Sequence, residues 1–100
     1  MLGFNNFPKS ISTSVNNVAC HGLPDERPLE NGDIISIDVT VYKNGFHGVC
    51  GSTYVIGNVK NNPIVRYLRS VAEECLYKGI SACRPGSMFI DIGADIGKFA

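Results

Sequence analysis

The stretch that most restricts this chain is Ile34-Ile35-Ser36-Ile37-Asp38-Val39-Thr40-Val41-Tyr42, followed one residue later by Asn44-Gly45. β-Branched and aromatic residues dominate it, and Asn-Gly supplies the two positive-φ positions that a tight type I′ turn needs. The chain must therefore double back here as a hairpin, with Phe46 to Ile56 returning, thinned by Gly48 and Gly51. A two-residue turn also sets the register: Lys43 faces Phe46, Tyr42 faces His47, Thr40 faces Val49 and Asp38 faces Gly51. Alternation then puts Ser36, Asp38, Thr40, Tyr42, His47 and Val49 on one face and Ile35, Ile37, Val39, Val41 and Cys50 on the other. One face is core; the other is mixed.

Around this hairpin the remaining elements read more simply. Ile11, Thr13 and Val15 alternate with Ser12 and Ser14 as a short strand, Asn16-Asn17 is a turn signal, and Val18-Ala19-Cys20 reads as a returning second strand. Residues His21 to Pro28 hold two prolines and a glycine without periodicity and form a loop. Asn62 caps a helix with Pro63 at its first position, and Ile64, Leu68, Val71, Ala72, Cys75 and Ile80 make one apolar stripe that ends near Cys83. Ser87 caps a second helix, with Asp91 in its first turn and Phe89, Ile92, Ile96 and Phe99 on one side. That pattern reaches Ala100 without a stop signal, so the expectation is an N-terminal piece of something longer.

Nine Lys+Arg balance nine Asp+Glu in 100 residues, a formal net charge of zero, which argues against nucleic-acid binding. No apolar run approaches the ~20 residues of a membrane span, and the first nine residues show neither a secretory signal nor a transit-peptide pattern. Cys20, Cys50, Cys75 and Cys83 form no C-x-x-C pair. They read as reduced, mostly buried thiols of a protein in a reducing intracellular compartment.

Few residues invite chemistry. Aspartate is depleted in strands, so Asp38 amid β-branched residues asks for a reason. A metal ion or other cation is one, with position 49 as the diagonal neighbour where a second carboxylate would complete a grip; exposure to solvent, or bonds to Ser36 and Thr40, is another. His21 opens the Pro-rich loop, where it either enters a cleft as a proton donor or acceptor or is an ordinary surface residue. His47 can simply pair with Tyr42. Phe4 and Phe7, in an irregular start, either cap a core edge or line a pocket for an apolar side chain.

The run from Phe7-Pro8-Lys9-Ser10 through Cys20-His21-Gly22-Leu23-Pro24-Asp25 resembles the N-terminal signature of type 1 methionine aminopeptidases. So do Arg27-Pro28-Leu29, Asn31-Gly32-Asp33 through Tyr42, Asn44-Gly45-Phe46-His47-Gly48, Gly57-Asn58-Val59, Arg84-Pro85-Gly86 and Ile92-Gly93. The wording Ser-Val-Asn-Asn-Val leans toward the mitochondrial branch, so the resemblance implies a cytoplasmic or mitochondrial protein.

The resemblance implies an α+β fold, one half of a pita-bread architecture with antiparallel β-hairpins packed against two helices, residues 1–100 being the N-terminal half of the peptidase domain. It implies a metal-dependent hydrolase that removes N-terminal methionine from nascent polypeptides, using two divalent ions of the cobalt, manganese, iron or zinc class. By the same resemblance Asp38 is the first carboxylate ligand and His21 the histidine that contacts substrate and moves protons. Phe4, Phe7 and Ser12 fall in the methionine pocket, the phenylalanines in place of Tyr and Ser12 in place of Cys.

One departure stands out. The family pattern reads His-Gly-Asp after the turn, its Asp bridging both metals, and here that position is Val49; residues 39 to 72 contain no Asp or Glu. The family's other ligands, a histidine and two glutamates, belong to a second half that the 100 residues do not include. One carboxylate does not hold two hard ions at useful affinity. The expectation is an inactive chain of aminopeptidase descent, or else a non-catalytic module that binds peptide N-termini. An exposed half-domain surface should also favour self-association.

Overall fold

The computed structural model describes residues 1–58 and 62–100, so Val59, the last residue of the Gly57-Asn58-Val59 resemblance, lies outside the described residues. The chain divides into two compact units, Met1–Asn61 and Asn62–Ala100.

The first unit is a three-stranded antiparallel sheet in the order β1-β2-β3, with β1 at Ile11–Val15, β2 at Ile34–Lys43 and β3 at Phe46–Val55. The hairpin register is the one the turn dictates: Lys43 pairs with Phe46, Tyr42 with His47, Thr40 with Val49 and Asp38 with Gly51. Asn44 and Gly45 both take positive φ, 53° and 87°. The expected second strand at Val18–Cys20 does not form; β1 pairs instead with β2, Ser12 opposite Asp38 and Ser14 opposite Ser36.

The reason lies in where the backbone bonds of residues 16–33 go. The Asn16 N–H donates to the Ile34 carbonyl at 2.9 Å, and its side-chain oxygen accepts from the Ile34 N–H at 3.0 Å, which starts the β1–β2 pairing at once. On the opposite edge of β1 it is Gly22, not residues 18–20, that meets the strand, its carbonyl accepting the Thr13 N–H at 3.0 Å.

The sheet buries little apolar bulk. Ile35 is its one buried apolar side chain among the described residues, while Ser12, Ser14 and Asp33 are also buried. Burial on the expected core face fades toward the turn: Ile37 and Val39 are half-buried, and Val41 and Cys50 are exposed. The span from Asn44 to Ile56, which contains all of β3, carries no charged residue and no proline.

The second unit is a helical pair, α1 at Pro63–Ala82 and α2 at Phe89–Phe99. The Asn62 side chain accepts the Val65 N–H at 3.2 Å, as its place before Pro63 predicts. For α2 the cap is Met88 rather than Ser87, because Asp91 does the capping: its carboxylate accepts the Met88 N–H at 2.9 Å. The stripe on α1 also needs correction. Val71 and Cys75 are half-buried, in line with buried Gly79 and Ala82, but Ile64, Leu68, Ala72 and Ile80 are exposed.

Length explains the N-terminal part of that difference. At ~1.5 Å per residue, the 20 residues of α1 run about 30 Å and the 11 of α2 about 16 Å, so α2 covers only part of its partner. Gly79 makes the contact close: a β-carbon there would meet Ile96 Cδ1 at 3.0 Å and Ile92 Cγ2 at 3.5 Å. No described helix is long and apolar enough to cross a membrane. The four cysteines are unbonded to one another, but Cys20, Cys50 and Cys83 are exposed and only Cys75 is half-buried, so the thiols are not the buried set expected.

Candidate metal and substrate site

Asp38 sits near the middle of β2 in a cross-strand row with Ser12 of β1 and Gly51 of β3. Its carboxylate lies over Gly51, where a β-carbon would collide with Asp38 Oδ1. Gly51 thus leaves the space that the carboxylate occupies. The bonds to Ser36 and Thr40 that could have explained Asp38 are absent among the described residues, and the Ser36 hydroxyl is instead 2.8 Å from that of Thr53. Asp38 is half-buried, and its carboxylate has no hydrogen-bond or ion-pair partner among the described residues.

The next rows toward the turn are less polar. Val49 faces Thr40 on the Asp38 side of the sheet and is 73% exposed. Beyond it the rings of Tyr42 and His47 lie 4.7 Å apart, tilted by 40°, so His47 pairs as its turn-flanking position suggested. Among the described residues no three His, Cys, Asp or Glu side chains come together as a metal site. The donors here, one carboxylate and an apolar diagonal neighbour, do not by themselves fit a two-metal centre.

His21 is exposed and has φ 55°, the left-handed region that residues with a β-carbon avoid. The next residue, Gly22, holds it at the sheet. The Gly22 carbonyl accepts the Ser12 hydroxyl at 3.1 Å, and its N–H donates to Ser14 Oγ at 3.2 Å. Ser12 is fully buried beside Asp38 in the register. Phe7 is half-buried, whereas Phe4 is 70% exposed in a short 3-10 turn, Phe4–Asn6, and so caps no core edge.

A second anchor, not evident from the sequence, lies in the same connection. Asp33 accepts from Asn16 Nδ2 at 2.8 Å, from the Glu30 N–H at 2.9 Å and from the Arg27 guanidinium at 2.8 Å. The Arg27 bond and the Glu30 and Asn16 donors hold its carboxyl well below the usual carboxylate range, and Arg27 is raised in turn, first by the hydrogen bond it donates to Asp33. The signal was present in the Asn-Gly-Asp run before β2, which reads as punctuation and also supplies an acceptor at a strand start.

This chain belongs to Metallopeptidase family M24, whose pattern it matches over residues 2–100. Within it, the resemblance to type 1 methionine aminopeptidases holds along the chain. The chain is 53% identical over 97 residues to methionine aminopeptidase 1D, mitochondrial, of Mus musculus, a match covering 97% of this chain and 28% of the mouse protein. It is 49% identical over 100 residues to methionine aminopeptidase A of a Synechocystis species, covering 99% of this chain and 39% of that one. The crystal structure of methionine aminopeptidase from Rickettsia prowazekii superposes with a TM-score of 0.89 at 44% identity, over 98% of this chain and 39% of that one. The fold is α+β, three antiparallel strands and two helices matching part of the pita-bread architecture, and the chain spans roughly a quarter to two-fifths of the length of these relatives.

Proposed function

We propose that these residues form the N-terminal portion of a methionine aminopeptidase domain and present, on one face of the sheet, part of a site for peptide N-termini. The observation that carries this is Asp38: a carboxylate in mid-strand, given room by Gly51 and lacking a protein partner among the described residues. In this reading Asp38 is the carboxylate available to a divalent ion, and His21 contacts the substrate and exchanges protons with it. Phe4, Phe7 and Ser12 contribute to a small pocket for an unbranched thioether.

With Val49 in place of the second carboxylate, the chain on its own does not hold two ions and does not release methionine. The exposed, apolar Val49 favours a second reading, a non-catalytic module that retains the pocket and binds peptide N-termini without metal. Both readings place it in a reducing compartment, cytoplasmic or mitochondrial, with nascent polypeptide as partner. Its exposed apolar side chains favour association with further polypeptide.

A peptide beginning Met-Ala-Ser, incubated with the chain and cobalt or manganese, should yield no free methionine. Val49→Asp should add measurable manganese binding by calorimetry, yet leave turnover absent, since a diagonal pair of carboxylates is still only part of a donor set. Methionine release by the unaltered chain would overturn the inactive reading. Unchanged manganese binding in Val49→Asp would remove Asp38 from the metal role. Peptide binding that survives chelation selects the non-catalytic module.

A further inference from the structure

We infer that Ser14, with Ser12 and Gly22, forms a clamp that positions His21, a role that rests on the substrate-contacting function proposed for that histidine. Two buried serines in a five-residue strand are costly unless their hydroxyls are bonded. Both bond the same residue. Ser12 Oγ donates to the Gly22 carbonyl at 3.1 Å, while Ser14 Oγ accepts the Gly22 N–H at 3.2 Å.

The Thr13 N–H completes the grip at 3.0 Å on the Gly22 carbonyl, so every hydrogen-bonding group of the Gly22 main chain is held by β1. Only glycine permits the approach, because a β-carbon at position 22 would collide with the Thr13 carbonyl oxygen. His21, one residue earlier, takes a left-handed conformation, which is uncommon for a residue with a β-carbon. Since Ser12 is the register partner of Asp38, the same clamp ties the placement of His21 to the row that carries the carboxylate. Ser14 and Gly22 therefore act through His21 as positioning residues.

The experiment needs neither metal nor peptide. In the 100-residue chain, amide exchange at Thr13 reads the clamp, and the strong amide to α-proton cross-peak within His21 reads its left-handed φ. Gly22→Ala should accelerate Thr13 exchange at least about tenfold, a local opening, and remove the His21 signature while the β2–β3 amides stay protected. Ser14→Ala should do the same more weakly, and Ser14→Thr, which keeps the hydroxyl, should restore the His21 signature.

An unchanged His21 signature in Ser14→Ala with the sheet intact overturns the clamp, as does its equal loss in Ser14→Thr. If Gly22→Ala melts the whole sheet, the two Ser14 variants decide. A failure of the aminopeptidase reading would appear in the metal and peptide assays and leave these signals where they are.

Discussion

Between β2 and β3 the chain reverses over Asn44 and Gly45 alone, whereas between β1 and β2 it runs from residue 16 to residue 33 before pairing again. Both connections depend on an asparagine in the left-handed region, Asn44 at φ 53° and Asn16 at φ 52°. The short turn needs nothing else, since its conformation is a property of two neighbouring residues. The long connection is held by groups distant in sequence: Gly22 by Ser12 and Ser14, Asp33 by Asn16 and Arg27. Length here is not looseness. It gives a histidine a place to be presented, which a two-residue turn cannot do.

The sharpest way to break the contrast is Asp33→Ala, which strands Arg27, Asn16 and the Glu30 N–H together. It should lower the urea midpoint more than any single change at the short turn, with β1 amides losing protection before those of the β2–β3 ladder. A midpoint equal to the parent's would show that the long connection is not held at this point.

Gly45→Val comes next. It forces a β-branched residue to φ 87°, at a cost of roughly 1–2 kcal/mol for a left-handed L-residue, and should destabilise the hairpin without altering exchange at Thr13. Coupled loss at both places would mean that the two connections are not independent.

Acid probes the long connection alone. Because the folded-state carboxyl of Asp33 is held below its unfolded value, its stabilising effect is complete above the ordinary carboxylate pKa of about 3.9 and drains away as pH falls further. The urea midpoint of the parent should therefore drop in acid by more than that of Asp33→Asn, whose neutral amide has no such dependence. Parallel curves for the two would refute the assignment.

The smallest effect belongs to the helical unit. Gly79→Ala gains about 1 kcal/mol of helix propensity and meets Ile96 Cδ1 at 3.0 Å, the far end of a side chain that can give way. A small gain in melting temperature is expected, read by circular dichroism; a loss would mean that the packing against α2 cannot adjust.

The same contrast explains what could be read from residues alone. The β2–β3 register was legible because the Asn-Gly pair fixes it locally, and Asp38 was legible because an acid is out of place in such a strand. The pairing of β1 was not, since Val18-Ala19-Cys20 has strand composition and nothing local reveals that Asn16 commits its bonds to Ile34 instead. The row Ser12–Asp38–Gly51 was hidden for that reason too: one half of it depends on the long connection. On α1 the pattern marked an apolar face but could not show which of its residues the shorter α2 covers.

One arrangement in the sheet has a genetic consequence. Every valine codon is one middle-base transversion from a codon for aspartate or glutamate, so one base change at position 49 sets an acidic group diagonal to Asp38, while Gly51 keeps open the space Asp38 already uses. Such an exchange needs one base and leaves the hairpin register, which the Asn44-Gly45 turn sets, as it is.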